Sequence, residues 1–520
     1  MVSQVKELTD LWPEPSSPPS RLSPSRLPGA DHESTETLRE VLRKNHERWH
    51  IFYDDLGRHN HISHHCLAVW ALGGHKDIVR MGYDKNEFLQ QPRGTSPEVI
   101  TEDNWIEHLG KREYYAGYQD FFANVVSKIG GSKALEEYVF SSKANFGSKN
   151  SAGRHPEMLC RVQAGIMHGL IHVGYGAEFG LPGMYVEGLA EAAVSEAESS
   201  QLVPPSLFDS VDAETKSSSS VTSRLQSVLS LGGESTPSSS SGSSGANAFT
   251  VLARLERDPK IVSKDMGLEM MYYSLMKDCG DALYKYASEW TLDVSSPESV
   301  QEKIEELHWA MTFMYAVAGY KQLDDGDFNA DFLSVHFITS GIFLQSLVSI
   351  LSPRSQVLLL RSFFATVLGW WVLIGKPPLD SKKIRAFFSD EEIARPTPPL
   401  PQPAPNANAL PSPTSPVAIN PNPWTWLIQQ AIVHPDDHFP KCQRALVHYA
   451  QLYGTRPKGY WSGGKRKTEL EGAEDMDGTL FLRAAVLTQN RLGRVFENVP
   501  SLQIYWDRKT YIPGAKFDNY

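Results

Sequence analysis

Thr37–Phe52 reads TLREVLRKNHERWHIF, and its apolar residues Leu38, Val41, Leu42, Trp49 and Phe52 recur at the three- and four-residue spacing that lines one face of a helix. Glu305–Tyr320 and Phe332–Leu351 carry the same period. The alternation that marks a half-buried strand is scarce, and there is neither an internal repeat nor a serial strand-helix pattern. The fold expected is mainly α: a single large helical domain with low-complexity insertions and a C-terminal lobe or lid.

The chain has 520 residues, 41% of them hydrophobic and 10% aromatic, enough for a substantial core. A net charge of -11 and short, isolated basic runs such as Lys465-Arg466-Lys467 argue against nucleic acid as a partner. The cysteines Cys66, Cys160, Cys279 and Cys442 are far apart with no C-x-x-C, which suits a reducing, cytoplasmic setting. No secretory signal opens the chain. The most apolar stretch, Ser362–Gly375, runs 14 residues between Arg361 and Lys376. That is short of the roughly 20 needed to cross a bilayer, so it reads as a buried helix and no membrane span is expected.

Composition divides the chain. Residues 1–34 read as disordered, and 35–395 as the helical domain that holds the chemistry, interrupted by a Ser-rich disordered insertion at about 203–248. Residues 396–423 form a Pro-rich linker, and 424–520 complete the domain or form its lid.

Four histidine pairs stand four residues apart: His46/His50, His61/His65, His168/His172 and His434/His438. Chance placement of 17 His would give about half such a pair. On a helix, residues at i and i+4 share a face and can share a ligand, so the spacing points to a metal. His61 and His65 precede an apolar helix stopped by Gly73-Gly74. His168 and His172 lie among apolar and small residues, where one metal satisfies two buried imidazoles more readily than separate acceptors do. His336 sits alone in an apolar helix. Lys376 ends another just before Pro377-Pro378; it either complements a helix C-terminus or, kept neutral, adds carbon dioxide to become an anionic oxygen ligand. His434-Pro435-Asp436-Asp437-His438 has ligand spacing but reads as a turn or helix start, which gives His438 a role toward substrate rather than metal. Glu47-x-x-His50 and Glu305-x-x-His308 match half of a ferritin-like di-iron pattern each. There is no G-x-G-x-x-G after a strand, no phosphate loop and no G-x-S-x-G elbow, so a tightly held flavin or dinucleotide is unsupported.

Through HNHISHHCLAVWALGG, MHGLIHVGYGAEFG, VHFITSGIFLQSL and HPDDHFPK, the chain resembles the questin oxidase-like family of fungal polyketide pathways over residues of about 36 to 515. The resemblance implies oxidative opening of an anthraquinone ring, described as Baeyer-Villiger-like and NADPH-dependent. It also implies a non-haem iron(II) held by several histidines and a carboxylated lysine. Carried over, the candidates are His61, His65, His168, His172, His336 and Lys376, one histidine too many. With His61 set aside to contact substrate beside His438, the ligands expected are His65, His168, His172, His336 and Lys376. Trp70, Tyr175 and Trp371, near Phe337 and Trp370, are expected to line an apolar pocket for a flat polycyclic substrate, with ordinary core packing as the alternative. Dioxygen is the co-substrate, and NADPH acts, where required, through a partner reductase. Two rival readings remain: an NADPH-dependent, metal-free Baeyer-Villiger monooxygenase, and a helical binding protein whose histidines are structural.

Overall fold

A computed structural model describes residues 11–213, 245–264, 268–394, 407–408, 410, 415–493, 495, 505–509 and 511–512. Among these residues helices carry the fold, and strand pairing is confined to isolated bridges such as Trp49 with Pro92 and Phe52 with His59. The helices that matter to the site are α1 (His32–Arg48), α2 (Ile62–Ala71), α3 (Lys76–Asp84), α4 (Ala164–Phe179), α5 (Pro182–Val194), α6 (Ala248–Arg257), α7 (Pro297–Gly319), α8 (Val335–Gly341), α9 (Pro353–Leu373) and α10 (His438–Tyr453).

Asp31 and Ser34 close a capping box at the start of α1, and Leu38, Val41 and Leu42 are fully buried, as their spacing requires. The helix stops at Arg48, short of Phe52. Trp49 is extended, and Phe52 bridges back to His59, so the segment before the first histidine cluster is a loop held by backbone pairing. Helices α4 and α5 pack closely because glycine faces glycine: a Cβ at Gly188 would stand 2.9 Å from the carbonyl oxygen of Gly169. Helix α9 runs 21 residues, longer than its apolar sequence suggested. It is long and apolar enough to span a membrane, yet 89% of its most apolar window is buried in the core.

Several boundaries differ from expectation. Residues 11–31 are placed against the core rather than loose: Trp12 is fully buried, Gly183 N–H donates to Leu11 O, and Leu27 N–H donates to Ala71 O. Packing also extends past residue 203, since Leu207, Phe208 and Val211 are buried. Residues 214–244 of the Ser-rich insertion, and most of the Pro-rich linker, lie outside the described residues. Helix α10 packs on α2 and α8, so the C-terminal block belongs to the same core. All four cysteines are free and buried.

Candidate metal centre

Four helices bring one histidine each to a common point at or near their N-terminal ends. Asn60 Oδ1 accepts from Ile62 N–H at 3.0 Å and caps α2, which leaves the His61 ring free to face inward. Asp331 Oδ1 accepts from Ser334 N–H at 2.7 Å just before α8, two residues ahead of His336. Asp436 Oδ1 accepts from His438 N–H at 2.9 Å and Phe439 N–H at 3.2 Å at the start of α10. On α4 the device is different. Gly165, Ile166 and Met167 all take positive φ (54°, 57° and 69°), a left-handed turn that is costly for a β-branched isoleucine and sits directly before His168. Only glycine fits its first position, because a Cβ there would lie 2.4 Å from His59 Nε2. That contact lets His59 stack flat on His168, with ring centroids 3.9 Å apart and planes 3° from parallel.

The resulting cluster joins His61, His168 and His438, whose nearest donor atoms all lie within 4.8 Å of one another. His336 completes it, with its ring centroid 5.1 Å from those of both His168 and His438. The Nδ1 atoms are engaged outward: His168 with Gly165 O, His336 with Phe332 O at 2.8 Å, and His61 with Asp437 Oδ2 at 2.8 Å. Carbonyls and carboxylates only accept, so each Nδ1 carries the proton and each Nε2 carries a lone pair. Yet His61 Nε2 and His168 Nε2 are 2.7 Å apart, His336 Nε2 is buried without a partner, and neither ring nitrogen of His438 makes a hydrogen bond. Two lone pairs at that distance repel unless a proton or a metal ion is shared by the two nitrogens.

A proton is disfavoured there. Burial first, then the neighbouring Lys441 charge, holds His61 down at about 3; burial and the surrounding imidazoles and Lys441 push His168 and His336 well below the ordinary histidine range. The imidazoles of His61, His168 and His336 are therefore held in the neutral form, the form that binds metals, and imidazole bonds of about 2.1 Å place neighbouring nitrogens on one ion about 3 Å apart. Burial would raise the Asp437 carboxyl, but His438, His61 and Lys441 together hold it well below its usual range. Lys441 Nζ lies 3.2 Å from Asp437 Oδ2, and burial lowers its pKa.

Behind the cluster, two glutamates one turn apart on α5 hold a second layer of imidazoles. Glu191 lies 2.6 Å from His59 Nδ1 and 2.9 Å from His172 Nδ1; Glu187 lies 3.0 Å from His46 Nδ1 and 3.6 Å from His172 Nε2. Burial opposes the Glu191 charge, yet His172 and His59 bring its carboxyl down to about 2. Burial likewise opposes protonation of His172, and Glu191 and Glu187 reverse that to raise its pKa.

These positions correct several expectations. His172 is not in the donor set: its Nδ1 stands 2.9 Å from both Glu191 and His64 Nε2, and its Nε2 is buried 3.6 Å from Glu187. His65 turns toward α3, where a Cβ on Gly82 would meet its Nδ1 at 3.6 Å. Lys376 donates to the carbonyls of Leu255 (3.0 Å) and Asp258 (2.7 Å) at the end of α6, the helix-capping role rather than the ligating one. His61 and His438, expected to face substrate, stand inside the donor set. Trp70 and Trp371 are fully buried packing residues, and Tyr175 donates its hydroxyl to His64 O at 3.1 Å. The ferritin-like alternative dissolves: Glu305 pairs with Arg456, and His308 bonds Gly341 O. The spaced pairs each contribute at most one imidazole, and His46/His50 contributes none. Asp437, Lys441, His59, Glu187 and Glu191 were missed, although Asp437 and Lys441 are four apart on the motif HPDDHFPK. An open cavity of about 220 Å³ lies elsewhere, beside Trp461; there Lys303 pairs with Glu306 and Arg466 with Glu302.

Fold and site together define a helical protein with a buried donor set fit for a transition metal. The questin oxidase-like family model matches residues 58–446, and the chain belongs to that family. The chain is similar to the Baeyer-Villiger oxidase ptaJ of Pestalotiopsis fici, 32% identical over 31% of this chain and 36% of that protein. It is 25% identical to the Baeyer-Villiger oxidase GME11358 of Pestalotiopsis microspora, over 69% of this chain and 75% of that protein. Questin oxidase of Aspergillus fumigatus is 30% identical over 33% of this chain and 37% of its own length. With ptaJ and several others, the match thus spans about a third of the relative's length.

Proposed function

We propose that the chain is an iron(II)-dependent dioxygenase that cleaves the central ring of a reduced, anthraquinone-type polyketide to a benzophenone-type product. The observation that carries the reading is the 2.7 Å approach of the His61 and His168 Nε2 atoms, with His438 in the same donor set and the buried His336 Nε2 beside it without a hydrogen bond. Imidazole with oxygen donors suits iron. His61, His168, His336 and His438 would hold the ion; Lys441, paired with Asp437 and with its pKa lowered by burial, is the nearby amine that, once deprotonated, would add carbon dioxide with loss of one further proton to give an anionic oxygen donor in the place expected of Lys376. Iron(II) there would supply the means to activate dioxygen.

The remaining work falls to the chain's own groups. Asp437 and the Gly165 and Phe332 carbonyls hold the Nδ1 protons and fix ring orientation, and burial keeps bulk water from the cluster. The atoms balance without a bound flavin: a hydroquinone plus one dioxygen gives a ring-opened keto acid containing both oxygen atoms, one in the new carboxyl and one in the new phenol. The two electrons and two protons enter when the quinone is reduced, which is where NADPH and a partner reductase act. Free, buried cysteines support a cytoplasmic setting.

The names of the relatives favour a second reading, a metal-free NADPH-dependent Baeyer-Villiger monooxygenase. Turnover under isotopically heavy dioxygen separates the two. The dioxygenase reading expects both heavy atoms in the product; a single heavy atom, with stoichiometric NADPH consumption by the purified protein alone, overturns it.

A further inference from the structure

The Nδ1 of His168 meets Gly165 O, a carbonyl of the same left-handed turn that carries the ring, so this contact moves with the turn. The second torsion of an imidazole side chain is broad and soft, and a local tether leaves the ring free to tilt. A further restraint comes from outside α4. The His59 ring lies flat on the His168 ring, centroids 3.9 Å apart and planes 3° from parallel. His59 is itself held from three directions. Its backbone bridges to Phe52, the Phe52 ring packs against it edge-on at 5.1 Å, and Glu191 Oε1 stands 2.6 Å from its Nδ1. The other oxygen of Glu191 stands 2.9 Å from Nδ1 of His172, one turn beyond His168 on α4. One carboxylate, 1% exposed, therefore ties the loop that carries His59 to the helix that carries His168.

We propose that His59 is a positioning residue: Glu191 and Phe52 hold its ring, and the face of that ring holds the plane of His168 so that Nε2 stays aimed at His61 Nε2. A flat neighbour in contact blocks the tilt that would swing this nitrogen away. A donor held in place before binding loses less freedom when an ion arrives, and the saving appears as affinity. The value of the alignment rests on the metal-binding reading, while the stack itself stands without any ion. His59 is not counted among the ligands, and its part is played through His168.

The test has two arms, both on the purified full chain with circular dichroism and the urea midpoint recorded. In metal-free protein carrying 13C-labelled histidine, the His168 ring resonance is assigned by its loss in His168→Ala. It should show a ring-current shift that disappears in His59→Ala and persists in His59→Phe. In the second arm the same proteins are titrated with cobalt(II). His59→Ala should bind about tenfold more weakly, with an altered visible absorption band. His59→Phe should recover most of the affinity, because it keeps the flat face, and Glu191→Gln should weaken binding by less than His59→Ala. A His168 resonance, or a cobalt(II) affinity and spectrum, untouched by His59→Ala overturns the proposal. So does a loss that folded His59→Phe fails to rescue. Should both His59 variants lose their fold, unchanged affinity and spectrum in Glu191→Gln overturn it. Parent protein that binds no cobalt(II), with the ring-current shift following the variants, would sink the metal-binding reading alone.

Discussion

An imidazole that donates its Nδ1–H can bind a metal only through Nε2, and at His61, His168 and His336 the choice of nitrogen is made by acceptors with no proton to give. Asp437 is the one charged member of that set, and it also faces His438 and Lys441. Asp437→Asn keeps the shape but loses the charge and frees the His61 tautomer. The expected outcome is a fall of about 10- to 100-fold in metal affinity and activity with the fold intact, checked by metal titration and circular dichroism. Residue identity was legible in the sequence to this extent: histidine excess and spacing flagged the segments. Which member of each pair enters the cluster was not: for His168/His172 the difference lies in Glu187 and Glu191, carboxylates brought beside His172 from another helix.

At the scale of elements, the cluster is built from helix starts. Asn60, Asp331 and Asp436 cap or lead into helices whose opening residues include His61, His336 and His438, and the left-handed turn at residues 165–167 does the same for His168. The positive end of a helix disfavours imidazolium, which suits neutral ligands. Asx residues shortly ahead of His61, His336 and His438 are visible in the sequence, and helical periodicity located the helices themselves. The turn was not visible, because Ile166 and Met167 argue against a left-handed backbone and only tertiary packing holds them there. The N-terminal stretch was misread for a related reason: its Pro/Ser-rich composition hides one anchoring side chain. Trp12 is fully buried, packs edge-on to His46 at 5.5 Å, and covers Gly183. Trp12→Ala should therefore cost about 3 to 5 kcal/mol, read as a lowered urea midpoint with unchanged slope; a change within the error of the fit would mean that the segment is not anchored.

At the scale of the whole molecule, imidazoles buried in the neutral form contribute less stability as pH falls, while buried carboxyls such as Glu178, raised to about 7, and Asp331, raised to about 6, act with the opposite sign. His308, on α7, is held by burial at about 3 against an ordinary 6.5, with the Gly341 carbonyl only partly offsetting. Its folded pKa is depressed, so the unfolded chain takes up the proton first. The stability it contributes is complete above about 6.5 and is lost as pH falls toward 3. Glu191, at about 2 against 4.5, adds a loss of the same sign further down. Between pH 7 and pH 5 the metal-free protein should lose about 2 kcal/mol for each imidazole of the His308 kind. His308→Gln should flatten that slope in urea unfolding, and an unchanged slope would contradict the assignment.

The central claim is that these helices exist to hold an iron-binding set of imidazoles, and the most direct measurement is the metal content of active protein purified without added metal, by inductively coupled plasma mass spectrometry, beside His168→Ala. The account predicts near-stoichiometric iron in the parent and its loss in the variant, with helical content retained. Ring-opening activity in protein that contains no iron, or iron retained after His168→Ala, would contradict it.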